Sequence, residues 1–72
     1  MNPIKSKAMR YFLGESQAEF SRRLGVSTST VCDIEKGKRG ISDYIRAKLI
    51  RIEADLPADD FFIFYEKFKL GT

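Results

Sequence analysis

The sequence predicts an all-α domain of five short helices, and three observations carry that expectation. Apolar residues recur at helical spacing throughout, and no segment alternates strictly enough for a strand. Small polar caps and glycines punctuate the chain at short intervals. The apolar fraction, 43% of 72 residues, is sufficient for one small globular domain, residues 1–72.

Helix 1 is expected over about Lys5 to Leu13, with Met9 and Leu13 on one face and Gly14 as its stop. Helix 2 is expected over about residues 17–24. Ser16 and Glu19 in "SQAE" are the two halves of a capping box, and Gly25 ends the helix. Helix 3, about 28–36, has Ser27 as N-cap and Gly37 as stop. Leu24-Gly25-Val26-Ser27 forms the turn between helices 2 and 3, with Val26 filling their angle. After the basic turn "GKRG", helix 4 starts near Ser42 or Asp43 and ends near Ala54. Pro57 fits the first position of helix 5, about 57–70, and Asp59 and Asp60 suit its positive end.

Composition narrows the function. There is no histidine and one cysteine, Cys32, so imidazole chemistry, an intrachain disulfide and a cysteine zinc site are excluded. No cofactor, metal or small-molecule ligand is indicated, and no nucleophile–base pair points to an enzyme. Asp59 and Asp60 are explained by the first turn of a helix. No apolar run is long enough for a membrane span, and Lys5, Lys7 and Arg10 interrupt any signal-peptide core, so a cytoplasmic protein is expected. The net charge of +3 is uneven. Residues 1–40 carry eight basic and four acidic side chains, and residues 41–72 carry five and six. Either a solvated surface of slight asymmetry or an end that meets a polyanion accounts for this.

At ~100° per residue, Val31 and Ile34 fall on one side of helix 3, with Thr30 beside them. Thr28, Ser29, Cys32, Asp33 and Lys36 fall on the other. That second arc is small and polar. It is either a plain solvated face or one able to enter a DNA major groove, ~12 Å wide, where hydroxyls reach base edges. Asp33 could accept from a cytosine amino group, and Cys32 could rest on an apolar base edge.

The stretch "SQAEFSRRLGVSTSTVCDIEKGKR" resembles the helix-turn-helix of the phage Cro and repressor family, also called the xenobiotic-response-element family. The matching features are Ser-Gln opening helix 2, Leu-Gly-Val-Ser at the turn, and Ser-Thr-Val-x-x-Ile-Glu-x-Gly-Lys through helix 3. The likeness covers about Lys5 to Phe62. It implies a compact lambda-repressor-like fold and a sequence-specific regulator of transcription that binds a two-half-site operator as a homodimer. Such a regulator is a stand-alone Cro-like repressor, which the small size favours, or equally the DNA-binding part of a longer repressor or an antitoxin-like regulator. The likeness implies base contacts from Thr28, Ser29 and Asp33, which Cys32 joins by its place on the same arc. It implies phosphate contacts from Gln17, Lys36, Lys38 and Arg39, to which Ser27 is added as a further expected phosphate contact. It also pairs Arg10 with Glu35. The chain departs from the family at Phe20 and Ser21, where Leu and Ala are usual, at Ser6, where an aliphatic residue is usual, and at Asp33, an anion in the groove. Ser21 keeps the small size needed where helices 2 and 3 cross, whereas Ser6 implies a loose or shifted start to helix 1. The alternative reading is a protein-interaction module, a coactivator or anti-regulator with the same fold and no base readout.

On helix 5, Phe61, Phe64, Tyr65 and Phe68 share a face expected to close the core over helices 1 and 4. Phe62, Ile63 and Leu70 point elsewhere. They are either ordinary exposed apolar residues or a self-complementary dimer patch.

Overall fold

Caps written into the sequence set where the helices begin. In the computed structural model, which describes residues 1–71, α1 spans Pro3–Leu13, α2 Gln17–Leu24, α3 Thr28–Glu35, α4 Asp43–Ala54 and α5 Ala58–Leu70. The described residues contain no strand. At α2 the capping box is complete. Glu19 N–H donates to Ser16 Oγ at 3.1 Å, and Ser16 N–H donates to Glu19 Oε1 at 2.8 Å. Ser27 Oγ accepts from Thr30 N–H at 3.2 Å, and Ser42 Oγ accepts from Ile45 N–H at 3.3 Å.

Two starts differ from expectation. Helix α1 begins at Pro3 rather than Lys5, because Asn2 Oδ1 accepts from Lys5 N–H at 2.8 Å and Pro3 suits the first turn. Ser6 itself is buried, whereas Ile4 in the first turn is 45% exposed. Pro57 is the N-cap of α5 rather than its first residue. It offers no side-chain cap, and its carbonyl accepts from Phe61 N–H at 2.9 Å.

The helix ends follow the glycines. Gly14, Gly25 and Gly37 have φ of 70°, 74° and 76°, the left-handed region that glycine enters without a Cβ clash. At the α2–α3 turn, Gly25 N–H donates to Arg22 O at 3.2 Å and Val26 N–H to Ser21 O at 3.0 Å. These bonds satisfy the last carbonyls of α2 and turn the chain sharply into α3.

Every helix contributes to one core: Ala8 and Met9, Phe20 and Leu24, Val31 and Ile34, Ile45 and Leu49, and Phe61. Phe20 and Leu24 sit at its centre, fully enclosed. Ser21 is buried on α2, the helix that packs most closely on α3, where a small side chain lets the two backbones approach. Val26 packs against the same core from the turn.

Helix α5 lies along α1 rather than spanning α1 and α4 equally. Phe12 meets Phe61 and Phe64 edge-on, each at 5.4 Å between ring centroids, and Tyr11 meets Phe68 at 5.3 Å. The face expected to pack is the one that packs: Phe61 is buried, while Phe64, Tyr65 and Phe68 are half-buried. A Lys5–Glu53 ion pair at 2.6 Å ties α1 to α4.

Candidate nucleic-acid interface

The corner formed by α2, its turn and α3 rests on a polar network at its base. Arg10 Nε donates to Glu35 Oε2 at 2.7 Å and Arg10 Nη2 donates to Glu35 Oε1 at 3.0 Å. The two side chains are only 11% and 5% exposed. Arg10 Nη1 also donates to Glu15 O at 3.0 Å, on the loop between α1 and α2. The hydrogen bond to Glu35 raises the Arg10 pKa further, so the guanidinium stays charged. One ion pair thus joins α1, the end of α3 and the approach to α2.

Gln17 belongs to this network. Its Nε2 donates to Glu35 Oε1 at 3.0 Å. Its side chain, expected to bind a phosphate, thus has one of its two amide hydrogens engaged within the protein, because a nearly enclosed carboxylate accepts every donor in reach. The backbone N–H of Gln17, at the first position of α2, has no partner within its own helix.

The hydroxyls at the start of α3 form a second cluster. Ser27 Oγ lies 3.1 Å from Ser29 Oγ and 2.9 Å from Thr30 Oγ1. Arg39 Nη1 donates to Thr30 Oγ1 at 2.9 Å. Arg39 is therefore anchored across the N-terminal turn of α3, rather than extending freely from the basic loop. Thr30, expected only beside the core, is the bracket that holds it. Ser21 Oγ donates to Ala18 O at 2.7 Å and lies 3.4 Å from Thr28 Oγ1.

Thr28, Ser29 and Lys36 are exposed, as are Ser27, Lys38 and Arg39. Cys32 and Asp33 are half-buried rather than exposed. Helix α3 packs against both α1 and α2, so its covered arc is wider than the opposition of Val31 and Ile34 implies. Cys32 is a free thiol. Lys36 is the C-cap of α3, one residue beyond its last turn. Lys36 and Lys38 enter no ion pair among the described residues, whereas Arg23 is held by Glu15 through Nε and Nη2. That pairing raises the Arg23 pKa.

Away from this corner, Phe62, Ile63 and Leu70 are 63%, 54% and 89% exposed on α5. Two shallow hollows occur, of about 270 Å³ beside Ile4, Lys7 and Phe68, and about 170 Å³ beside Tyr44, Lys48 and Arg51. Among the described residues no cluster of three or more potential metal ligands forms, and no helix is long and apolar enough to cross a membrane.

Among the contacts that sequence reasoning missed are three at this corner, Gln17–Glu35, Arg39–Thr30 and Ser21–Thr28. Only the last left a trace, a hydroxyl at Ser21 where the resembled family carries a methyl. No protein family, curated protein or solved structure matches the chain.

Proposed function

We propose that the chain is a sequence-specific double-stranded-DNA-binding regulator of transcription, a Cro-like repressor of the helix-turn-helix class. The observation that carries this reading is the α2–α3 corner. It is built on a rigid ion-pair base, and α3 turns short hydroxyls outward beside a basic loop. Thr28 and Ser29 face the bases. Half-buried Cys32 and Asp33 line the same helix and meet the groove at its edge. Lys36, Lys38 and the anchored Arg39 hold phosphates on one side. The Gln17 backbone N–H and the second Nε2 hydrogen of Gln17 hold another phosphate at the positive end of α2. Ser27 serves first as the cap of α3.

Each subunit takes one half-site. Two copies meet through the exposed Phe62, Ile63 and Leu70. Three side chains bury only a few hundred Å² per subunit, at ~100–200 Å² each. A standard interface buries ~800 Å² per partner, so the free dimer is weak and assembles on its operator.

The purified protein is to be used to select from random duplexes. The expected result is an enriched, two-fold symmetric sequence with half-sites about one helical turn apart. Retention of all duplexes alike, with weak affinity that vanishes as salt rises, would replace this reading with a protein-interaction module.

A further inference from the structure

We infer that Thr28 reads the major groove as a hydrogen-bond acceptor only, because Ser21 holds its hydroxyl hydrogen. This rests on the proposed DNA-binding function and specifies what one base-facing residue recognises. Ser21 Oγ is buried and carries a single hydrogen, and that hydrogen is committed to Ala18 O at 2.7 Å. In the 3.4 Å contact between Ser21 Oγ and Thr28 Oγ1, the hydrogen therefore comes from Thr28. Thr28 makes no other side-chain hydrogen bond among the described residues. Turning its hydrogen outward would leave oxygen lone pairs facing each other across this part-buried contact, with the Ser21 hydrogen already engaged by Ala18 O. What Thr28 presents to solvent from the first residue of α3 is lone pairs and a methyl group.

In the major groove every base pair offers one exocyclic amino group, on adenine N6 or cytosine N4, opposite a keto oxygen on thymine or guanine. An acceptor-only hydroxyl distinguishes the strand that carries the amino group. At the position it contacts, Thr28 selects adenine or cytosine over guanine or thymine on the strand it faces. With alanine at position 21, Thr28 would be free to donate or accept, and this partition would disappear. Ser21 is thus a positioning residue that sets the polarity of Thr28 without touching DNA.

The test is duplex selection with the wild type, Thr28→Val and Ser21→Ala, each first shown by circular dichroism to be folded. Thr28→Val maps the position. There the wild type is expected to favour adenine or cytosine roughly tenfold, a preference that Thr28→Val abolishes and Ser21→Ala flattens. A second measurement needs no variant. Replacing the selected base by purine or 2-pyrimidinone, which lack the amino group, should weaken wild-type binding by about the same factor. Guanine or thymine at the mapped position, a preference unchanged in Ser21→Ala, or full binding to the amino-free site overturns the inference and leaves the DNA-binding reading standing. So does a Thr28→Val protein that selects the wild-type motif. A wild type that enriches no sequence at all defeats both.

Discussion

Replacing Arg10 by alanine tests the physical base of the fold. The Glu35 carboxylate is 5% exposed and accepts two hydrogen bonds from Arg10 and one from Gln17. Without the guanidinium it keeps only the amide, in a setting that water reaches poorly. Breaking a buried pair from one side costs ~3–5 kcal/mol, since the stranded charge is not rehydrated. The Glu15 carbonyl loses a donor as well. A domain of 72 residues has a total stability of order 5–10 kcal/mol, so the variant is expected to lose from about a third of it to all of it. At ~4–8 °C per kcal/mol the melting temperature should fall by more than ~12 °C. Thermal and urea melts followed by circular dichroism measure this. The double variant Arg10→Met/Glu35→Leu is the companion. It removes both charges, so no charge is stranded, and the loss should be far smaller or reversed. An Arg10→Ala protein that melts with the wild type, or a double variant as weak as the single one, would refute the reasoning.

Other expectations follow from single contacts. Lys38→Ala should weaken binding to all duplexes about equally and reduce the salt slope by roughly one unit, read by titration at several salt concentrations. Ser29→Ala should instead change the preferred base at one or two positions, each worth ~1–3 kcal/mol, and an unaltered selected motif would remove Ser29 from base readout. The Ser16 N–H bond holds the Glu19 carboxyl below its ordinary range. Its contribution is therefore complete above that range and is lost as pH falls through the lowered value. Glu19→Gln keeps an acceptor that does not titrate, so its melting temperature should drop less than the wild type's between neutral pH and about pH 3. Gly25→Ala places a Cβ 3.0 Å from Tyr44 Oη at φ +74°, and chemical unfolding should show a loss of ~1–2 kcal/mol from the backbone alone. Phe62→Glu and Ile63→Lys should leave the melting curve intact and abolish cooperative binding to a two-half-site operator. Cooperative binding at wild-type affinity in both variants would move the dimer contact off α5.

Local chemistry was readable in the sequence wherever the cap and the apolar period stood side by side. Ser16 with Glu19, Ser27 and Ser42 each precede a helical run; the first two cap as expected, and Ser42, expected only near the start of α4, proves to be its cap. Asn2 and Pro3 stand before any period has begun, so the start of α1 was placed two residues late. Val31 and Ile34 declared the buried side of α3 because one helix wheel suffices to find it. The half-burial of Cys32 and Asp33 was not legible, since it depends on α1 and α2 both leaning on α3. Partner choice among polar groups was the least legible of all. Gln17 to Glu35 and Arg39 to Thr30 are contacts between elements, fixed by the packing that brings them together. The Arg10–Glu35 pair was foreseen only through a family likeness, not from periodicity.

Ion pairing also explains why a modest net charge yields a concentrated basic face. Of the eight basic residues before position 41, Lys5, Arg10 and Arg23 are each neutralised by a carboxylate, on Glu53, Glu35 and Glu15. These three pairs tie α1 to α4, α1 to α3, and the α1–α2 loop to α2, so they act on the fold. The remaining charges include Lys36, Lys38 and Arg39, gathered within four residues at the end of α3. A cation there is favoured by the negative end of the helix dipole, but by no more than ~1 kcal/mol at an exposed site, so stability alone gives little reason to cluster three. Facing a polyanion, each would contribute to affinity by releasing counterions. The two groups should therefore separate in experiment. Arg10→Ala should lose fold and binding together, whereas Lys38→Ala should lose affinity at an unchanged melting temperature. If Lys38→Ala instead destabilises the fold and spares binding, the basic turn belongs to the scaffold and the proposed interface loses its phosphate clamp.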